Sequence, residues 1–243
     1  MLLAVDRLAA GYGETPVLFE ISFEIAAGEA LALVGRNGMG KTTTMRAILG
    51  LCPPTGGAVA FDGRPLAGLA PFRIARLGIG WVPEGRLIFP TLSVRENLTA
   101  TAANHGGLAR PWTVPEVFDL FPRLRERALA SGDQLSGGEA QMLAIGRALM
   151  LGPRLILLDE ATEGLAPVIR DEIWSCVGRL RERGQAVLIV DKHLTALARV
   201  AERAVVIEKG RTVWTGGAWH ETMLCRVRYS VSPRNGLWLV SSS

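Results

Sequence analysis

The stretch GRNGMGKTTT, Gly35 to Thr44, lies between the apolar run ALALV and the segment MRAILGL. A buried strand, a glycine-rich loop and a helix in that order form a narrow structural choice. Gly35-x-x-x-x-Gly40-Lys41-Thr42 fits the phosphate-binding pattern G-x-x-x-x-G-K-[ST] in its required context. Glycines permit positive φ and let an anion approach successive backbone N–H groups. The helix that begins at Lys41 adds the positive end of its dipole. Gly35, Arg36, Asn37, Gly38, Met39, Gly40, Lys41, Thr42 and Thr43 are therefore expected to hold a nucleoside triphosphate. In that arrangement Lys41 neutralises the β- and γ-phosphates and the Thr42 hydroxyl ligates Mg²⁺.

The rest of the chain reads as an α/β core around that loop. Leu2 to about Ile25 is strand-like, with a Gly-Tyr-Gly turn. Ala30–Val34 is a buried strand, Thr42–Leu51 a helix, CPPTGG a turn cluster, and AVAFDG and IGWV are strands. From about 91 to 150 only helical and loop patterns occur. Strands return at RLILLD, QAVLIV and RAVVIE, with helices around 168–183 and 195–201. A strand–helix alternation interrupted by helices predicts a P-loop core with a mainly parallel sheet, N-terminal antiparallel strands and an inserted helical subdomain. The expected domain covers 1–217. Residues 218–243 read as a C-terminal tail, exposed or loosely docked, to which no function is assigned.

Composition narrows the setting. Cys52, Cys176 and Cys225 are far apart in sequence, which argues for reduced, structural thiols and a cytosolic chain. The three histidines show no metal-ligand spacing. MLLAVDRL lacks the features of a signal peptide, and no window approaches ~18 uninterrupted apolar residues, so no span is expected. The net charge of +4 comes from scattered basic residues and does not by itself point to nucleic acid.

Two further motifs follow the loop in order. QLSGGEAQ, Gln134 to Gln141, precedes a helical run, and Ser136, Gly137, Gly138 and Glu139 at its head form a second anion-binding element. LILLDE, Leu155 to Glu160, places Asp159 at the end of a buried strand, where a parallel sheet keeps its ligands. Asp159 is expected to hold Mg²⁺. Glu160 is expected to orient or deprotonate the attacking water. This set resembles the ABC-type ATPases across almost the whole chain. The resemblance implies that the LSGGE element of one subunit closes over ATP held by another. It also implies that Tyr12 stacks on adenine. No N/T-K-x-D base-reading motif for GTP is present, and ATP is favoured.

VPEGR, the MLAIGRALM segment and the DE-x-x-x-GLAP run (Asp159 to Pro167) look like the ATPase subunits of branched-chain amino acid importers, with urea and amide importers related. Where most relatives carry a glutamine linking the Mg²⁺ site to the membrane partner, this chain has Glu84. At the usual switch-histidine position stands Lys192, with His193 one residue later. Ala161 replaces a common proline. Lysine keeps a fixed positive charge and can stabilise charge on the γ-phosphate, whereas histidine can exchange a proton. Both Lys192 and His193 are candidate catalytic groups.

The resemblance implies an ATP-hydrolysing subunit that powers a membrane importer from the cytoplasmic face of the inner membrane. Its implied partners are transmembrane permease subunits, a second ATPase subunit (identical or a sister chain) and an extracytoplasmic substrate-binding protein. The competing reading is a non-transport ABC ATPase acting on DNA or ribosomes. Those usually add long coiled coils or a tandem core, which this chain lacks, and no nucleic acid partner is expected. A regulatory nucleotide switch is disfavoured by Glu160 beside Asp159.

Overall fold

The computed structural model describes residues 1–217 and Trp219. Trp219 aside, the tail expected from residue 218 lies outside the described residues. Strands β1 (Leu3–Tyr12) and β2 (Thr15–Ile25) form an antiparallel hairpin, and β3 (Ala30–Val34) leads through the glycine loop into α1 (Lys41–Ile48). The chain continues through β4 (Pro54–Phe61), β5 (Arg64–Pro65), α2 (Pro71–Ala75) and β6 (Ile79–Val82). Helices α3 (Val94–Thr99), α4 (Val114–Leu120), α5 (Pro122–Glu126) and α6 (Gly137–Met150) follow. The core then resumes with β7 (Leu155–Asp159), α7 (Pro167–Glu182), β8 (Ala186–Val190), α8 (Leu194–Val200), β9 (Arg203–Glu208) and β10 (Arg211–Gly217).

The strands make one ten-stranded mixed sheet in the order β5-β4-β1-β2-β10-β9-β3-β8-β7-β6. Its parallel half is β9-β3-β8-β7-β6, and the remaining pairings are antiparallel apart from a short parallel contact between β10 and β2. In register, Asp159 at the end of β7 sits beside Val190 at the end of β8. The exits of β3, β7 and β8 therefore share one edge, the carboxyl edge where an open α/β sheet binds ligands.

Side chains of the fully buried β3 alternate between two cores, as the period of two requires. Leu31 and Leu33 join Leu3, Ile21, Met45 and Ile48, which pack α1 against the antiparallel strands. Ala30, Ala32 and Val34 face the other side, where Leu98, Leu124, Leu143, Leu180 and Leu197 bring α3 and α5–α8 together. Trp219 is 1% exposed in this second core, and its indole N–H donates to the Ala201 carbonyl (3.1 Å). Cys52 and Cys176 are buried and free, with burial pushing the Cys176 thiol up to about 12.

Two local readings change. The CPPTGG cluster is strand from Pro54 onward, because β4 crosses a bulge in β1 where Arg7 has φ 43°. A Cβ on Gly57 would lie 2.2 Å from the Arg7 carbonyl, so its glycine serves close backbone approach within a strand rather than a turn. The unforeseen β10 is set by Lys209-Gly210, whose φ values of 47° and 71° suit a two-residue hairpin turn to β9.

Candidate active site

The loop after β3 closes on itself through Lys41, which is 8% exposed. Its ammonium donates to the carbonyls of Gly35 (2.9 Å) and Arg36 (3.1 Å). Burial lowers the Lys41 pKa, partly offset by the charges of Glu160 and Asp159. Gly40 has φ 105°, and a Cβ there would lie 2.6 Å from Leu18 Cδ2, so the turn into α1 requires glycine. Helix α1 starts with no side-chain cap, so its leading N–H groups have the donor capacity that an anion satisfies. A cleft of about 200 Å³ lies between Asn37–Thr43 on one side and Glu160 on the other, with Val17 at its margin.

Asp159 is 1% exposed, and its Oδ1 accepts from the Thr42 hydroxyl (3.1 Å). Its Oδ2 is buried without a hydrogen-bond partner among the described residues. Burial raises the Asp159 pKa; Thr42 works against that, and the Glu84 charge adds to it. An orphaned carboxylate oxygen beside a threonine hydroxyl fits a hard divalent cation. No group of three His, Cys, Asp or Glu side chains forms a metal cage among the described residues. The oxygens on offer from this chain are the Thr42 hydroxyl and the Asp159 carboxylate, donors of the kind Mg²⁺ would take.

Glu160 adopts a left-handed φ of 49°, with its N–H donating to the Val190 carbonyl (2.8 Å). This turns the chain sharply at the strand end and sets its carboxylate on the cleft wall. Its pKa is pushed up to about 7, first by the hydrogen-bonded Glu163 carboxyl and then by burial.

Lys192 and His193 diverge. The Lys192 ammonium pairs with Glu163 and stands 3.7 Å from Glu160 Oε2. His193 turns to Asp191, with Nδ1 2.7 Å from Oδ1, and to Arg170, with Nε2 2.6 Å from Nη1. Arg170 can only donate, so His193 Nε2 accepts and Nδ1 carries the hydrogen bonded to Asp191. The other Asp191 oxygen accepts from the Thr162 hydroxyl (2.6 Å). Glu163, Thr162, Arg170 and Asp191 were absent from the motif reading. The only sequence signals were a second acid three residues after Glu160 and an acid directly after a buried strand.

The remaining candidates lie further out. Tyr12 is exposed at the end of β1, and its hydroxyl accepts from Arg46 on α1 (3.3 Å). Ser136 and Glu139 form a reciprocal capping box at the start of α6, with N–H to oxygen distances of 3.3 and 2.8 Å. Gly138 packs on Ile169, where a Cβ would lie 2.8 Å from Cγ2. Glu84 is exposed, and the guanidinium of Arg86, two residues later, lies against Gly137.

Comparison with known proteins bears on the family and the fold. Residues 18–163 match the family model described as ABC transporter. The chain is 39% identical over 219 residues to the high-affinity branched-chain amino acid transport ATP-binding protein BraG of Pseudomonas aeruginosa, covering 89% of this chain and 94% of BraG. It is 37% identical over 213 residues to the Nod factor export ATP-binding protein I of Paraburkholderia xenovorans, covering 87% and 69%. A solved ATP binding subunit of an ABC transporter superposes with a TM-score of 0.78 at 28% identity, covering 95% of both chains. The chain belongs to the ABC transporter family and is one of its ATPases.

Proposed function

We propose that this ATPase powers a membrane importer for branched-chain or other amino acids, working from the cytoplasmic face of the inner membrane. The observation that carries the reading is the match to BraG, which runs through nearly the full length of both chains. The match to the Nod factor export protein leaves about a third of that protein uncovered. No helix among the described residues is long and apolar enough to cross a membrane. The reading assigns the pore to separate permease subunits and substrate capture to an extracytoplasmic binding protein.

Each site residue has a role in this reading. The Lys41 ammonium exchanges two loop carbonyls for phosphate oxygens, and the loop N–H groups from Gly35 to Thr43 cradle the same anion. Thr42 and Asp159, with Glu84 nearby, would hold Mg²⁺, which would supply charge neutralisation at the phosphates. Glu160 takes a proton from the attacking water as its oxygen bonds to the γ-phosphorus and the bond to ADP breaks. A carboxylate with a pKa near 7 is well matched to that transfer at neutral pH. Tyr12 offers its ring to adenine. Ser136 to Glu139 reach ATP on a second ATPase subunit, identical or a sister chain, so that binding closes the pair and product release reopens it.

Reconstitution with the candidate permease in proteoliposomes tests the proposal. ATP-dependent accumulation of labelled leucine, isoleucine or valine is expected. ATP hydrolysis with no permease association, together with salt-sensitive nucleic acid binding, overturns transport in favour of the DNA or ribosome reading.

A further inference from the structure

Glu163 lies one turn beyond Glu160, after the exit of β7. Its carboxylate holds the Lys192 ammonium, and the same ammonium is 3.7 Å from Glu160 Oε2. Two carboxylates on one loop thus share one cation, and one of them, Glu160, lines the same cleft as Lys41.

The backbone around Lys192 is fixed more firmly than its side chain. Asp191, 7% exposed, accepts from the His193 N–H (2.9 Å) and the Thr162 hydroxyl (2.6 Å). His193 is in turn bonded to Arg170 on α7. Position 192 is therefore pinned from both sides, while its half-exposed four-carbon stem can swing between acceptors. The terminal phosphate of ATP, arriving over Lys41, offers that cation more negative charge than either carboxylate. The site also dries as it closes, which strengthens the attraction.

We infer that Glu163 is a positioning residue that parks the Lys192 ammonium beside Glu160, so that ATP must draw the ammonium away from Glu163 as its γ-phosphate binds. The inference rests on the ATPase reading and adds a resting acceptor to it. Release of the ammonium also removes a cation from beside Glu160, the group assigned to accept the proton. The parked pair opposes ATP, which has a γ-phosphate to compete for the cation, and is indifferent to ADP, which has none.

The test is equilibrium binding of ATP and of ADP to the purified full chain in EDTA, which prevents turnover. It compares the parent with Glu163→Gln, Lys192→Met and the double variant, each checked for an unchanged thermal transition. Exposed ion pairs shift equilibria by at most about fivefold. Glu163→Gln is therefore expected to tighten ATP binding about two- to fivefold, to leave ADP binding unchanged, and to have no effect when Lys192 is already Met. Three results overturn the inference alone: ATP affinity equal to the parent's, equal tightening of ADP, or equal tightening with Met at 192. A parent chain that binds neither nucleotide overturns the ATPase reading, and the inference with it.

Discussion

Lys41→Met separates what the lysine does for the fold from what it does for the nucleotide. Methionine is close to lysine in length, so the change removes the charge without opening a large cavity. In the resting chain two effects oppose each other. The substitution relieves a desolvated cation, yet it takes the donor away from the Gly35 and Arg36 carbonyls. The ligand-free melting temperature should move by only a few degrees. ATP binding should suffer far more, because charge-assisted contacts contribute about 1.5–3 kcal/mol, or ~10–150-fold in Kd. With ATP at 100 times the parent Kd, ligand linkage stabilises the parent by about 2.7 kcal/mol. A hundredfold weaker variant keeps only ~0.4 kcal/mol at the same ATP concentration. For a chain of this size those energies correspond to upward shifts of roughly 5–10 °C and 1–2 °C. Thermal unfolding with and without ATP measures both. An ATP-induced shift in Lys41→Met as large as the parent's refutes the assignment of Lys41 to the phosphates.

Three other outcomes are expected. Trp219→Ala should cost about 3–5 kcal/mol in urea unfolding, since it empties a site in the second core and orphans the Ala201 carbonyl; a cost under ~1 kcal/mol contradicts that packing. Lys192→Ala should slow turnover with little change in stability. His193→Ala should instead destabilise by roughly 1–3 kcal/mol, because it removes the imidazole donor from buried Asp191; the reverse pattern makes His193 the working group. Glu84→Ala should weaken permease stimulation of hydrolysis more than it weakens ATP binding, and equal losses in both assays point to a plain metal-ligand role.

Much of the fold was legible because its signals are local. ALALV and LILLD are continuous apolar runs ending at chemistry, and each becomes a fully buried strand of the parallel half-sheet. The family was legible from the order of loop, LSGGE and LILLDE. What stayed hidden depends on partners distant in sequence. Gly56-Gly57 reads as a turn until the bulge at Arg7 supplies the reason for glycine inside a strand. Spacing after QAVLIV could favour Lys192 over His193 but could not reveal why they part. That requires Arg170, from α7, to occupy the histidine's second nitrogen. Glu163 was invisible for a similar reason, since a surface acid in a turn acquires meaning only when a lysine 29 residues later lies against it.

The account turns on Glu160 as the proton acceptor in ATP hydrolysis, and one substitution isolates it. Glu160→Gln keeps the side chain's shape, and the left-handed backbone stays anchored to the Val190 carbonyl, but the amide cannot take the water's proton. Single-turnover hydrolysis in the permease-bound complex, with ATP occupancy measured on the same sample, is the decisive experiment. Occupancy equal to the parent's with a rate lower by about 10²–10⁴-fold is the predicted result. Full occupancy with a parent-like rate contradicts it and moves the chemistry to another group.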